Sequence, residues 1–374
     1  MIRVLQSVSN MARAGIETML MNYYRHIDRD LIQFDFIANK PLPGEYDEEI
    51  RVMGGSIYVG PGLRPDCFST YRLFMKGLIE QNPDIKIVHG HNEAMAYYAL
   101  YGAQKAGVKV RIAHAHNTRI AFDYKYPVKI VCKQLLPTAA TDYWACGRNA
   151  GIYYFGKKRW EKQGVIIHNA INLERFRFDP EVRARVRREH GLEDCYLVGH
   201  VGRFAKQKNH VQLLDIFGEV ARADDSARLI LIGVGSTEAA MHRKAVQMGL
   251  GEKVLFLGQM ANVNDWYQAF DCFVLPSLYE GLPVTGVEAQ TAGLPCLFSD
   301  RVTDEVLLTP EAIRLPIEEN NAEWASRILS LKGERDRTAG IEMVRDAGYD
   351  IRQEAVKLQN RYLEMAEKAE RQRK

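Results

Sequence analysis

The stretch that most constrains this chain is Phe273 to Ser299, FVLPSLYEGLPVTGVEAQTAGLPCLFS, which reads as strand, loop, short helix, turn and strand. Cys272 to Leu275 is an apolar run of strand length closed by Pro276. Pro283 stands where a first helical residue is expected, Val284 to Ala292 carry helix-compatible apolar spacing, and Gly293 before Leu294-Pro295 is a C′ glycine with a proline beyond it. The loop between strand and helix holds Tyr279, Glu280, Gly281 and Leu282 and opens at the C-terminal end of a parallel strand, the edge where open α/β sheets bind ligands.

Glu280 lies in that loop and Glu288 just over one turn into the helix. Gly281 allows close backbone approach, and the free N–H groups at the helix start, supported by the dipole, suit a phosphate. Carboxylates on either side of an anion site need neutral hydroxyls as partners. Sugars supply them: Glu280 can hold a hexose beyond the phosphates while Glu288 takes the two hydroxyls of a ribose. The pattern describes a nucleotide-sugar site.

The glutamate pair, with Gly281-Leu282-Pro283 after the first and Ala289 and Gly293-Leu294-Pro295 after the second, resembles the donor-site signature of the retaining GT-B glycosyltransferases of family 4, the glycosyl transferases group 1. The resemblance extends over nearly the whole chain. It implies two facing Rossmann-like, doubly wound parallel-sheet domains with a central cleft, of the kind found in exopolysaccharide and capsular polysaccharide synthesis.

In the N-terminal half, Ile2 to Val8 is the first strand, leading through a small loop with Gly15 into a helix, Ile16 to His26. The family usually has a Gly-Gly pair here; this chain keeps Gly15 and Glu17 but has Ala14 in the first position. Strands near Phe34-Ile37, Ser56-Val59, Ile85-His89, Val110-His114, Tyr143-Cys146 and Val165-Ile167 alternate with helical segments, which implies a parallel sheet. Two of them end in histidine-rich strings, His89-Gly90-His91-Asn92 and His114-Ala115-His116-Asn117. Without a carboxylate frame this is weak evidence for a metal, and no metal ligand is expected. The resemblance makes His116 the histidine that faces the donor sugar. Lys125, Lys129 and Lys133 recur every four residues; they suit either a solvated helix face or an anionic lipid surface.

The charge-rich stretch 174–194 reads as a linker with a surface helix. The expected domains are residues 1–172, joined by a returning C-terminal helix at about 352–374, and 173–351. That helix has an expected buried stripe of Val356, Leu358, Tyr362, Leu363 and Ala366. The second sheet opens with Leu197 to Gly202 and delivers Arg203 to its edge, with Lys208 five residues on. A bidentate guanidinium and a mobile ammonium suit a diphosphate, and GRFxxQKN resembles the family's phosphate motif. Gly233-Val234-Gly235 lacks the third small residue of a dinucleotide fingerprint, since Glu238 occupies that place. The resemblance sets Gln259 and Met260 against the base. The expected donor site is Gly15, Gly202, Arg203, Lys208, Gln259, Met260, Glu280, Gly281, Leu282, Pro283, Val284 and Glu288, with Glu280, Arg203, Lys208 and His116 in catalytic roles.

Composition bears on partners and compartment. A formal charge of +3 gives no argument for nucleic acid. Six cysteines without C-x-x-C spacing read as reduced thiols, MIRVLQSV is a strand rather than a signal peptide, and no apolar run is long enough to span a bilayer. A cytoplasmic chain is expected, with peripheral contact at the inner face of the cytoplasmic membrane left open, and the sequence gives no oligomeric state. The expected activity is a retaining hexosyltransfer without cofactor: a hexose or N-acetylhexosamine passes from a nucleotide-diphosphate sugar, a UDP-sugar first, to a glycan or lipid-linked glycan. The alternatives are a nucleotide-sugar epimerase or sugar phosphorylase of the same fold, and a non-catalytic nucleotide-sugar-binding subunit.

Overall fold

The structure, a computed structural model, describes residues 1–120, 122–318 and 320–371; residues 372–374 of the expected C-terminal helix lie outside them. The chain divides into two compact units, Met1–Ile171 with Ile351–Lys374, and Asn172–Asp350.

The first unit is a parallel sheet of β1 (Ile2–Val8), β2 (Ile32–Ala38), β3 (Ile57–Val59), β4 (Ile85–Gly90), β5 (Val110–Ala115), β6 (Asp142–Ala145) and β7 (Gly164–Ile166). Their order is β3-β2-β1-β4-β5-β6-β7, so the winding reverses between β1 and β4. Strands covered on both faces must be apolar on both, and two buried clusters result. One contains Leu5, Val88, Tyr71 and Leu100; the other contains Val4, Phe34, Ile112 and Trp144 and takes in Tyr362.

Tyr362 belongs to the C-terminal helix Ile351–Arg371, which packs on the helix Gly15–His26. Its buried stripe is Ile351, Ala355, Leu358, Tyr362 and Ala366, with Leu363 partly buried. Val356 is not on it. At 100° per residue it lies two positions, or about 200°, from Leu358, and it is 52% exposed.

The second unit holds β8 (Tyr196–Val201), β9 (Ala227–Ile232), β10 (Val254–Phe256), β11 (Cys272–Leu275), β12 (Cys296–Ser299) and β13 (Ala312–Leu315). All pairings are parallel in the order β10-β9-β8-β11-β12-β13, so its winding reverses between β8 and β11. The charge-rich stretch after the unit boundary is more than a surface linker. Its helix Pro180–Glu189 is capped by Asp179, whose carboxylate accepts from the N–H groups of Glu181 and Val182. Arg187 is buried and, with Arg183, grips Asp271 just ahead of β11.

The loop after β9 settles what its glycines are for. Gly233 has φ +142°, and a Cβ there would lie 2.2 Å from the Gly202 carbonyl oxygen; a Cβ on Gly235 would lie 2.3 Å from that of Phe204. These glycines let one loop cross against the backbone that follows β8, which accounts for a G-x-G without a dinucleotide fingerprint.

The lysine series is mostly engaged in structure. Lys129 pairs with Asp123 at 2.6 Å, and the Lys133 ammonium lies 3.7 Å from the centre of the Tyr153 ring. No helix among the described residues is long and apolar enough to cross a membrane.

Candidate active site

In the second unit the expected residues gather at one sheet edge. Parallel strands end on the same side, so the loops after β8, β10 and β11 share it, and the β8/β11 reversal is the switch point where such sheets take ligands. Arg203 follows β8; it is exposed, and among the described residues no side chain pairs with it. The backbone then makes a 3-10 turn, Lys206–Lys208, and Asn209 adopts φ +54°, a left-handed conformation that asparagine tolerates better than most residues. This turn carries Lys208 back over Gly202, where a Cβ would lie 3.2 Å from the lysine Cε.

Lys208 and Glu280 meet as an ion pair, Nζ to Oε1 at 2.7 Å, with 16% and 11% of their side chains exposed. Ser277 Oγ donates to the same carboxylate oxygen at 3.1 Å. Gln207 fixes the loop: its carbonyl accepts from Leu278 N–H, and its side-chain amide donates to the Tyr279 carbonyl at 3.0 Å. The phosphate-motif lysine and the sugar-side glutamate, 72 residues apart in sequence, therefore form one assembly.

The helix after the loop spans Val284–Thr291. Pro283 is its N-cap residue, with φ −74° and ψ 117°, rather than its first helical residue. Its extended ψ is not helical, and its ring only has to fix φ where the chain enters the turn. Leu282 and Pro283 are buried and anchor the helix start, while Gly281 and Val284 remain partly accessible beside it. Glu288 accepts a hydrogen bond from Tyr267 Oη at 2.8 Å; burial pushes its carboxyl above the usual range, and the tyrosine and Arg175 oppose that rise. Gly293 has φ +66°, and a Cβ there would lie 2.2 Å from the Arg337 carbonyl oxygen, so only glycine can end this helix. Gln259 and Met260 follow β10 on the same edge, with Gln259 exposed.

Gly15 and His116 belong to the first unit. Gly15 opens its helix with nothing within 4 Å of where a Cβ would sit, and Ala14 is its N-cap residue at φ −127°, a conformation that alanine adopts without strain. Ala170, in the His168-Asn169-Ala170 turn where the family resemblance leads one to expect a glycine, is absent from the left-handed residues among those described. Neither replacement deforms the backbone.

His116 belongs to a buried set. His89 and His91 extend β4, His114 and His116 extend β5, and alternation puts all four on one face. His91 Nδ1 lies 3.0 Å from His116 Nε2, and His89 Nε2 lies 3.1 Å from His114 Nδ1. Gln6 of β1 and Tyr362 complete the network. Burial holds His89, His91 and His114 well below the usual imidazole range, and His116 is pushed down to about 3. Nitrogens of His89, His91 and His114 lie within 4.8 Å of one another, but those of His89 and His91 are bonded within the network.

Sequence reasoning gives no site role to Glu93, Gln6, Tyr267 or Ser277, and reads Tyr362 only as part of a buried helix stripe. Glu93 stands at φ +53°, a left-handed conformation that is costly for glutamate. Its Oε1 accepts from the His116 backbone N–H at 3.1 Å and from Asn117 Nδ2 at 2.8 Å. Burial raises its carboxyl to about 8, so it is mostly protonated at neutral pH. Its place in His-Asn-Glu after β4 is a usable signal; Tyr362, over 270 residues from His89, gives none.

Two parallel α/β units with this edge constellation define a GT-B glycosyltransferase, and the comparisons agree. The family model "Glycosyl transferases group 1" matches residues 182–339. EpsF of Bacillus subtilis (strain 168) is 35% identical over 372 residues, with 96% of each chain covered. The capsular polysaccharide biosynthesis glycosyltransferase CapH of Staphylococcus aureus is 25% identical over 297 residues, 77% of this chain and 79% of its own. The crystal structure of Anabaena HepE in complex with UDP shares the fold at a TM-score of 0.79 and 15% identity, covering 97% of this chain and 100% of that one. The chain belongs to the glycosyl transferases group 1 family and is a glycosyltransferase.

Proposed function

We propose that the chain is a retaining glycosyltransferase that moves a hexose or N-acetylhexosamine from a UDP-sugar to a glycan or lipid-linked glycan. The observation that carries this reading is the Lys208–Glu280 pair at the β8/β11 switch point, beside the start of the helix that presents Glu288. A cation for phosphate and carboxylates for sugar hydroxyls are what a sugar nucleotide requires. UDP is the first nucleotide to test because HepE is a fold neighbour in complex with it.

In this mechanism Arg203, Lys208 and the N–H groups at the helix start stabilise charge on the departing diphosphate. Glu280 is a poor nucleophile, since Lys208 and Ser277 already share its Oε1. It orients sugar hydroxyls instead, and the leaving phosphate takes the acceptor's proton on the same face that the acceptor attacks. The family resemblance also gives Gly15 and His116 donor-side roles. No cofactor is required, because fixed dipoles and side-chain cations do the work of a metal.

The test is a panel of nucleotide sugars with membrane extracts as acceptor source, following nucleotide diphosphate release. Release that depends on acceptor supports transfer. Conversion of the free donor without acceptor would favour an epimerase, and binding without turnover a non-catalytic subunit. Phe122 and Tyr124, 89% and 87% exposed beside Lys125, support peripheral contact with an anionic membrane. Failure to float with anionic vesicles would exclude it.

A further inference from the structure

Four imidazoles, an amide and a phenol in the first unit form a hydrogen-bonded set in which the protons can be counted. Gln6 stands at its centre. Its Nε2 donates to Tyr362 Oη at 3.5 Å, and its Oε1 lies 2.9 Å from His91 Nε2. A carboxamide oxygen only accepts, so His91 Nε2 carries a proton. A neutral imidazole has one proton, which leaves His91 Nδ1 bare and able only to accept. Its partner, His116 Nε2 at 3.0 Å, must then carry the proton of that bond.

The other arm runs outward from Tyr362. Having accepted from Gln6, its hydroxyl donates to His89 Nδ1 at 2.7 Å; His89 Nε2 donates to His114 Nδ1 at 3.1 Å. His114 Nε2 is enclosed without a partner. That arm ends inside the protein. The first arm ends at His116, which is 8% exposed against 1–2% for the other three histidines, and His116 Nδ1 is not among the enclosed, unpartnered atoms.

We propose that His91 and Gln6 are positioning residues that hold His116 as its neutral Nε2–H tautomer, so that it offers Nδ1 as a hydrogen-bond acceptor. The consequence for substrate class rests on the reading that His116 faces the donor sugar. A bare lone pair bonds a hydroxyl and repels a carboxylate, so the site selects a neutral hexose or N-acetylhexosamine over a uronic acid whose carboxylate would meet this nitrogen.

The titratable groups around His116 are consistent with a neutral ring. His91 bonds it, His114 stacks on it at 4.1 Å, the Glu93 carboxyl accepts its backbone N–H, and the Cys146 thiol donates to its carbonyl. None supplies a carboxylate to the ring itself. Glu93 spends Oε1 on backbone and amide donors.

Nitrogen NMR of the histidine-labelled protein without substrate decides the matter. The His116 signals should show a protonated Nε2 and a bare Nδ1, unchanged between about pH 5 and about pH 8. A His116 proton on Nδ1, a ring that titrates near neutrality, or stoichiometric zinc binding that shifts these nitrogens would overturn the proposal. His91→Leu removes the acceptor and should lower kcat/KM for the sugar nucleotide about tenfold, with binding of free UDP unchanged. His91→Asn, which restores an acceptor oxygen, should recover most of that loss. A purely structural role for His91 would instead lower both variants together, or change UDP affinity. If His91→Leu does not fold, the wild-type spectrum still decides. A correct tautomer in a protein that turns over no sugar nucleotide would refute the functional reading and leave the network standing.

Discussion

Glu93→Gln should make the protein more stable, by an amount that grows with pH. Glu93 has a proton affinity set by burial: its carboxyl titrates at about 8 against an ordinary value of 4.5, a difference of 3.5 units. At about 1.4 kcal/mol per unit, the folded state forgoes up to about 5 kcal/mol by keeping this group neutral above pH 8, and about 3 kcal/mol at pH 7. The sign follows from proton counting. Between 4.5 and about 8 the unfolded chain has released a proton that the folded chain still holds at Glu93, so this one group's contribution to wild-type stability falls as pH rises through the window and levels off above it, whatever the slope from other groups. Glutamine keeps an oxygen for the His116 N–H and for Asn117 Nδ2, and carries no titratable proton. Urea denaturation of both proteins at intervals from about pH 5 to about pH 9 gives the difference directly. It should start near zero and widen toward the alkaline end. Two curves that stay parallel would refute the neutral-carboxyl argument, since a lost contact alone gives a constant offset.

Arg203→Ala and Lys208→Ala should each lower nucleotide diphosphate release by roughly 10²- to 10³-fold, as loss of a transition-state charge donor does, with melting temperature little changed; unaltered release in either would remove it from the phosphate site. Transfer should survive EDTA, because the only group of three metal-type ligands among the described residues, His89, His91 and His114, lies within the hydrogen-bonded histidine set; complete loss restored by Mg²⁺ or Mn²⁺ would contradict this. Stability should fall steeply as pH drops below about 6.5, since His116 at about 3 and His210 at about 4 stay neutral in the folded protein while the unfolded chain takes up protons; a flat acid limb in thermal melts would count against the neutral histidines.

The alternation of strands and helices, the Phe273–Ser299 unit and the residues of the second sheet edge are legible in the sequence because each is a local pattern. A four-residue apolar run before a proline and a Gly-Leu-Pro after a helix carry their geometry within a few residues. Val356 reads as part of the buried stripe because it is apolar and adjoins Ala355, so only the packing phase distinguishes it from the stripe through Leu358 and Tyr362. Pro283 reads one position too far into its helix because a proline fixes φ alike at the cap and in the first turn; ψ decides between them, and sequence does not reveal ψ. The histidine strings show which residues reach the edge of β4 and β5 but not what they do there. Their roles depend on Gln6 and Tyr362, which only tertiary structure brings to them.

The two glutamates of the second unit can be separated by what each already holds. Lys208 faces Glu280, so a diphosphate at the helix start competes with that carboxylate for the ammonium. Glu280→Gln removes the competitor, and UDP affinity should stay the same or rise while transfer falls, because the sugar has lost its charged acceptor. Among the described residues Glu288 forms no ion pair, although Arg175 lies near enough to favour its charge; it accepts from Tyr267 and keeps valence for ribose hydroxyls. Glu288→Gln should weaken UDP and UDP-sugar alike, by roughly 10- to 100-fold for one charged hydrogen bond. Calorimetric titration of UDP into both variants discriminates. If Glu280→Gln loses UDP affinity and Glu288→Gln keeps it, the Lys208 pair does not mark the phosphate, and the donor lies the other way round on this edge.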